Sequence, residues 1–157
     1  MATQHQENGS FGERRVTQDC HCPRCKKIKT LVRLPTNFKC ADIICDFCGY
    51  LGQVKTTTVN DITRIPNQIL GAAWKPQGER MVAGIYFPLF LVLKNEKKGS
   101  YAIHYLAADL QEPDMFVKRP KLKETARRAG WEGFYYNLRN VQSRFVCIFS
   151  YEPKASD

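Results

Sequence analysis

The sequence predicts a mixed α/β or α+β fold with an embedded four-cysteine metal site. Two observations predict the fold class: several β-branched or apolar segments have the character of strands, and one stretch repeats apolar residues at helical spacing. A third observation, two CxxC pairs, predicts the metal site. Strands with one clear helix packed on them indicate an α/β or α+β core.

Composition favours a soluble protein with a polyanionic partner. The 157 residues suffice for one domain, and 24 Lys and Arg against 15 Asp and Glu give a charge of +9, which suits nucleic acid. The longest apolar region, GIYFPLFLVL, is about half of the ~18 residues of a membrane span. The N-terminus is polar and lacks the apolar core of a secretory signal. We therefore expect a cytoplasmic protein without a membrane partner.

The chain divides into three segments in this interpretation. Residues 1–13 form a polar N-terminal tail, and the wider polar stretch 1–19 is either mobile or a short helix. Residues 14–150 form one domain, which includes the cysteine-rich segment 20–48. Residues 151–157 form a C-terminal tail.

Most of the predicted elements are strands. LVRLP, NFKCADIIC, YLGQVKTTTV and the late segment RFVCIFS have strand character. GIYFPLFLVL and SYAIHYLAA, joined by the turn NEKKGS, predict a hairpin at the sheet centre, in which Pro88 indicates an edge or a bulge. NDITRIPNQILGAAW begins with Asn60 and Asp61, which are cap-type residues, and predicts a helix. RPKLKETARRAGW is basic and loop-like, with some helical character.

The two CxxC pairs are separated by nineteen residues, which matches the spacing of a zinc ribbon. Each short turn aims two thiolates at one ion, and two turns complete the tetrahedron of a structural zinc site. The alternative is a set of free buried thiols. Seven cysteines and no export signal argue against disulfides. The predicted ligands are Cys22, Cys25, Cys45 and Cys48; Cys20, Cys40 and His21 are nearby candidates, and Cys147 is expected to be a small core residue.

Three polar residues flank the second cysteine pair. If this pair is the tip of an antiparallel hairpin, Asp42 lies opposite Gln53, and Lys55 shares the face of Gln53. Oxygen ligands from Asp42 and Gln53 suit Mg²⁺, and a neighbouring lysine can position or deprotonate a water. This is the chemistry of phosphodiester hydrolysis. The alternative makes Asp42 a partner of the zinc site, and Gln53 and Lys55 the solvated face of an ordinary strand.

Several separated motifs occur together in one order. ADIICDFC is followed after four residues by QVK, then by TVND, and TARRAGWEG occupies residues 125–133. This arrangement resembles the catalytic domain of the DpnI-type, or Dam-replacing, restriction endonucleases. The resemblance extends from about residue 14 to residue 150. Agreement of several motifs in order is more specific than any one of them.

The resemblance implies a PD-(D/E)xK nuclease core with a zinc ribbon, and Mg²⁺-dependent cleavage of duplex DNA at adenine-methylated GATC sites. Asp42 falls on the metal-binding aspartate of the family, Gln53 on its second acidic ligand and Lys55 on its catalytic lysine. Glutamine supplies an oxygen but no charge, so the affinity for metal should drop. Glu13, or another acid near the N-terminus, is a candidate for a further carboxylate, with no position assigned.

Other members of the family carry a C-terminal winged-helix domain that also reads DNA. This chain ends at Asp157, about where the catalytic domain should stop, so we expect a single-domain relative or a reader supplied elsewhere. Methyl-GATC specificity therefore needs its own test.

A basic segment surrounds the TARRAGW motif. Lys and Arg neutralise phosphates and Arg reads guanine edges, while a Trp beside them can stack on a base or contact a methyl group. The alternative is a solvated basic face with a core tryptophan. The residues predicted to contact DNA are Lys123, Arg127, Arg128 and Trp131. His104 is interpreted as a hydrogen-bonded strand residue.

Two classes of function follow. The first is a Mg²⁺-dependent, methyl-directed DNA endonuclease. The alternative is a catalytically silent module, either a zinc-ribbon DNA binder or a methylated-DNA reader that has lost its carboxylate at position 53. A zinc-stabilised RNA-associated protein fits the charge but not the order of the motifs. Lys55 separates the first two classes, because a pure binder does not need a lysine on the metal face. The sequence leaves the oligomeric state open.

Overall fold

A computed structural model of the chain describes residues 1–155. The described residues form two α-helices, nine strands and three short 3₁₀ helices. The elements in chain order are α1 (Gln4–Asp19), β1 (Leu31–Arg33), β2 (Ile43–Cys45), β3 (Leu51–Thr58), β4 (Gln68–Ala73), α2 (Trp74–Val82), β5 (Leu89–Asn95), β6 (Ser100–Leu106), β7 (Phe116–Lys118), β8 (Gly133–Asn137) and β9 (Val146–Tyr151), with 3₁₀ turns at Ala108–Leu110, Pro113–Met115 and Gln142–Arg144. The α+β class predicted from the sequence is therefore confirmed.

The chain folds into two compact units. The first unit comprises Met1–Arg64, Phe87–Ala108 and the chain from Phe145 onward, and the second comprises Ile65–Tyr86 and Asp109–Arg144. Among residues 1–155, none of the helices has the length and apolar character needed to cross a membrane.

The first unit is built on a six-stranded mixed sheet with the order β1-β2-β3-β5-β6-β9. β3 and β5 are parallel, and the other neighbours are antiparallel. The predicted β5–β6 hairpin is confirmed, with Leu89 paired to Leu106 and Asn95 to Ser100. Phe90, Val92 and Ile103 are fully buried. These continuous apolar runs are explained by strands that are covered on both faces.

Helix α1 packs closely on β3. The helix begins with a capping box, in which Thr3 Oγ1 accepts from the Gln6 backbone and Gln6 Oε1 accepts from the Thr3 backbone. Of the two alternatives for the N-terminal stretch, the structure has the helix. At Gly12 the backbone approaches β3 so closely that a Cβ would lie 1.8 Å from Thr56 Oγ1. Glycine therefore determines the distance between the helix and the sheet.

The second unit contains the three-stranded antiparallel sheet β4-β8-β7. The prediction of a helix over NDITRIPNQILGAAW is wrong, because Gln68–Ala73 is strand β4 and pairs with β8. Ile69 is buried while its neighbours Gln68 and Leu70 are exposed, which is the period of a half-buried strand. Pairing of Ile69 with Tyr136, 67 residues away, overrides the local helical spacing. Helix α2 starts where the predicted helix ended.

Two predictions about single residues in the first unit are also wrong. Pro88 makes neither an edge nor a bulge inside β5; it precedes the strand, and its carbonyl accepts from the Gln53 backbone N–H at 2.9 Å. Proline fits there because the first position of a strand does not need its N–H. Cys147 is exposed instead of buried, because it lies on β9, the edge strand, most of whose side chains face solvent.

The contact at Gly12 predicts a destabilising effect for Gly12→Ala. Alanine favours the helix by about 1 kcal/mol, but the Cβ collides with Thr56, and overpacking of this kind costs roughly 1–3 kcal/mol. We expect a net loss in the free energy of unfolding measured in urea.

Gly9→Ala is the matched control for this measurement. Among the described residues, a Cβ at Gly9 meets nothing within 4 Å, so the same substitution there should stabilise the protein by up to about 1 kcal/mol. Adding Thr56→Ala should restore part of the loss in Gly12→Ala. Equal effects at the two glycines would contradict the close packing of α1 on β3.

Candidate metal centre and acidic site

The four predicted cysteines meet at one point. The Sγ atoms of Cys22, Cys25, Cys45 and Cys48 all lie within 4.8 Å of one another. The Cys22 and Cys48 sulfurs are 3.6 Å apart, and the Cys25 and Cys45 sulfurs 3.7 Å apart. A tetrahedral zinc with bonds of about 2.3 Å separates its sulfurs by about 3.8 Å. The cluster therefore fits a zinc ion with four thiolates and leaves no ligand position open.

The two cysteine turns have the same backbone geometry. In the first turn, the Lys26 backbone N–H donates to the Cys22 carbonyl at 2.9 Å, and in the second the Gly49 backbone N–H donates to the Cys45 carbonyl at 2.9 Å. Both residues have a left-handed backbone conformation, with φ of 64° at Lys26 and 77° at Gly49. This repeated turn is what directs each pair of sulfurs to the common point.

The neighbouring candidates take no part in the cluster. Cys20 is buried, and burial raises the pKa of its thiol to about 12, which keeps it protonated and unreactive. Cys40 is half-buried and His21 is exposed, and neither belongs to the sulfur cluster. Within residues 1–155 the four cysteines are the only group of three or more Cys, His, Asp or Glu arranged to hold a metal.

The ribbon continues from the cluster to Asp42. β2 and β3 pair with Ile43 opposite Gly52. The Asp42 backbone N–H donates to the Gly52 carbonyl at 3.0 Å, and Asp42 Oδ2 accepts from the Val54 backbone N–H at 2.8 Å. These bonds reach β3 on either side of Gln53. The predicted placement of Asp42 beside Gln53 is confirmed by this pairing.

Glu13 on α1 joins the same electrostatic cluster. Its Oε2 accepts from Arg33 Nε at 2.9 Å and lies 2.8 Å from a terminal guanidinium nitrogen of Arg33. Burial raises the pKa of Glu13 above its ordinary value, the hydrogen bond from Arg33 opposes this, and the charge of Asp42 adds to the increase. The charges of Glu13 and Asp42 therefore repel each other, and Arg33 offsets only part of the increase in the pKa of Glu13.

Lys55 responds to the same two acids. Burial lowers the pKa of its ammonium group below the ordinary value, and the charges of Asp42 and Glu13 partly oppose the shift. Glu13, Asp42 and Lys55 therefore share one environment, with Gln53 two residues from Lys55 on β3. Two carboxylates and an amide oxygen are ligands that suit a hard cation such as Mg²⁺. The lysine suits a nearby anionic substrate.

Glu13 is the residue that the sequence left without a position. No local motif links a helix residue at position 13 to a hairpin 29 residues later in the chain. The close approach at Gly12, adjacent in sequence, is a signal that appears only when α1 and β3 are seen together.

The basic segment predicted to contact DNA lies in the second unit, at the end of the β7–β8 hairpin. Backbone bonds from Arg119 to Gly133 and from Leu122 to Trp131 extend the pairing beyond the strands. The segment forms turns without helix. Glu132 holds Lys118 at 2.8 Å and Lys121 at 3.5 Å.

The remaining predicted residues of this segment are available at its surface. Lys123, Arg127 and Arg128 are exposed, and none of them forms a salt bridge among residues 1–155. Trp131 is half-buried, with the Arg128 guanidinium 4.7 Å above its ring. In the first unit, His104 is buried and its Nε2 lies 2.8 Å from the Ile62 carbonyl oxygen, as predicted for a hydrogen-bonded strand residue.

Fold and site together define an α+β protein in which a four-cysteine ribbon supports an acidic site that contains a lysine. The family described as DpnI, Dam-replacing, matches residues 2–150. The chain therefore belongs to the Dam-replacing family, and membership indicates a restriction endonuclease with DNA as its partner. No curated protein matches the sequence.

The cysteine cluster predicts one zinc ion per chain. The Cys22→Ser variant should bind little zinc. Its free energy of unfolding should fall by roughly several kcal/mol, because metal binding is coupled to folding of the site. Zinc content by elemental analysis and thermal unfolding are the measurements. Cys147→Ser, at an exposed cysteine outside the cluster, is the control and should retain the metal. Equal zinc in both variants would rule out the assigned ligands.

The raised pKa of Glu13 predicts a pH-dependent effect on stability. Below pH 4.5 the carboxyl group is protonated in both folded and unfolded chains, and the folded state loses relative stability as pH rises through the raised pKa. Glu13→Gln lacks this loss. Without added Mg²⁺, the variant should gain unfolding free energy relative to wild type between pH 4 and pH 7. Glu124→Gln, at an exposed position, is the control; the opposite trend would exclude a strained Glu13.

Proposed function

We propose that the protein is a Mg²⁺-dependent endonuclease of the PD-(D/E)xK type that cleaves duplex DNA at adenine-methylated sites. The observation that carries this proposal is the shared environment of Glu13, Asp42 and Lys55 beside Gln53. Membership in the Dam-replacing family supports the substrate class. Methyl dependence and a GATC-like site are the finer part of the proposal.

In this proposal Asp42, Gln53 and Glu13 hold the cation. When bound there, Mg²⁺ would supply positive charge for a phosphate oxygen and would make a water easier to deprotonate. Asp42 is fixed for this role, because the Val54 backbone holds one of its oxygens and leaves the carboxylate next to β3. Gln53 adds a neutral oxygen, and Glu13 supplies the negative charge that glutamine lacks.

Lys55 has the second role. Burial has already lowered its pKa, so its amine can accept a proton from the attacking water at a lower pH than an ordinary lysine can. In its protonated form it offsets negative charge on the phosphate. A lysine held near two acids in a half-buried site is difficult to explain by DNA binding alone, which favours the enzyme over the silent reader.

The second unit supplies the proposed DNA reading. Trp131 borders an open cavity of about 840 Å³, together with Trp74 and Lys75. Aromatic walls suit a base or its methyl group, while Lys123, Arg127 and Arg128 suit phosphates or guanine edges.

Trp131→Ala should therefore reduce the preference for methylated DNA more than it reduces cleavage itself.

The deciding experiment is plasmid cleavage with Mg²⁺ or Mn²⁺, using one plasmid in adenine-methylated and unmethylated forms. We expect cleavage of the methylated form and a loss of at least about 100-fold in Lys55→Ala, because a positioned proton-transfer group contributes roughly 10²–10⁴-fold. Lys98→Ala, an exposed lysine in the β5–β6 turn, is the matched control. Cleavage of both forms would support the assignment as an endonuclease and contradict the proposed specificity for methylated DNA.

If neither form is cut while the protein still shifts DNA on a gel, the silent reader replaces the nuclease. The observation that favours this second candidate is the missing carboxylate at Gln53.

Gln53→Glu tests the role of position 53 directly. An added carboxylate strengthens binding of a hard cation, so the variant should reach half-maximal cleavage at a lower Mg²⁺ concentration, on the order of tenfold. Glu13→Gln should shift the requirement in the opposite direction. Metal titrations of cleavage rate give both values. An unchanged Mg²⁺ requirement in both variants would remove Gln53 and Glu13 from the metal site.

A further inference from the structure

We propose that the tip of the zinc ribbon binds the phosphate backbone of duplex DNA beside the cleaved position. We define the ribbon tip as the exposed residues Arg24, Lys26, Lys27, Ile28, Lys29 and Phe47. The choice of duplex DNA as the partner rests on the proposed function. The contact itself is a separate property, because it concerns binding through residues outside the catalytic group.

The charge of this surface is one-sided. Residues 20–41 contain no Asp or Glu and six basic residues, namely Arg24, Lys26, Lys27, Lys29, Arg33 and Lys39. Arg33 is used by Glu13, but the four basic residues of the tip form no salt bridge among residues 1–155. Asp46 is the one acid on the facing turn. Like charges this close repel one another, and a polyanion relieves the repulsion.

The tip also exposes apolar surface. Ile28 is 61% exposed and Phe47 is 62% exposed. Lys27 Nζ lies 3.8 Å from the centroid of the Phe47 ring, so the two cysteine turns meet in a cation–π contact. A basic face that only improves solubility does not need these two side chains. Apolar groups between cations suit a DNA backbone, in which deoxyribose rings alternate with phosphates.

The tip is held rigidly. The Cys22 backbone N–H donates to the Lys27 carbonyl at 3.1 Å, and the Asp46 N–H donates to the Thr30 carbonyl at 2.8 Å. Lys26 and Lys29 have φ of 64° and 57°, and residues other than glycine adopt this left-handed backbone conformation only where the surroundings impose it. A preorganised set of cations loses less entropy on binding than a flexible loop.

The position of the tip matches the proposed cleavage chemistry. Asp42 immediately precedes β2 and lies three residues before Cys45, the last residue of that strand, which corresponds to about 10 Å at ~3.3 Å per residue. The tip lies beyond Cys45. Because phosphates of one strand recur about every 3.4 Å along the DNA axis, the tip can reach phosphates about three or more base pairs from the one at Asp42. The ribbon thus links metal binding to placement of the duplex.

The test compares two triple variants that lose the same charge. Lys26→Gln, Lys27→Gln and Lys29→Gln remove three tip lysines, and Lys97→Gln, Lys98→Gln and Lys154→Gln remove three exposed lysines elsewhere. Binding of a fluorescent 30-base-pair duplex is followed by anisotropy at several salt concentrations without added Mg²⁺ or Mn²⁺, so that no cleavage occurs and the zinc of the ribbon is retained. Zinc content is measured for each variant.

For the tip variant, we expect Kd to rise on the order of 10- to 100-fold and the slope of log K against log salt to fall by about 2 to 3, since each phosphate contact contributes about 0.9. The control variant should change the slope by less than about 1. Lys→Arg at the same three tip positions should retain the wild-type slope, which separates lost charge from a damaged ribbon. Equal slopes for the tip and control variants would overturn the proposal.

Cleavage by the wild type, measured separately with Mg²⁺, distinguishes the two proposals. A tip-dependent slope without cleavage would support the binding surface and remove the nuclease. Cleavage with identical slopes in all variants would do the reverse.

Discussion

The convergence of four cysteine sulfurs is the constraint on which the candidate site depends. It ties residues 22–25 to residues 45–48 and thereby fixes β1, β2 and the start of β3 as one ribbon. Because β2 has only three residues, backbone pairing alone would hold it weakly. With the ends joined, Asp42 reaches β3 on both sides of Gln53. The proposed cation site would need this rigidity, because catalytic geometry tolerates little displacement.

The second constraint is the close packing of α1 on β3. Gly12 permits the approach, and Glu13, the next residue, is then held by Arg33 near Asp42 and Lys55. The ribbon and the helix are independent in sequence, and the acidic site exists only where they meet. Loss of either support would separate the carboxylates without altering any of them.

The site stores charge that the folded protein does not fully compensate. Burial raises the pKa of Glu13 and lowers that of Lys55, so each group is destabilised in its charged form. Perturbed pKa values of this kind are common at functional sites. At the ribbon tip, the clustered lysines likewise have no acidic partner within residues 1–155.

The sequence by itself determined the elements whose signal is local. The CxxC spacing predicted the sulfur cluster, the apolar β5–β6 run predicted its hairpin, and the symmetry about the second cysteine pair predicted that Asp42 lies across from Gln53. Tertiary structure decided what depends on distant partners. β4 is a strand because β8 pairs with it, against its own helical spacing. Glu13 joins the site because helix α1 packs on β3 at a glycine, and such proximity between distant segments is not encoded in any local pattern.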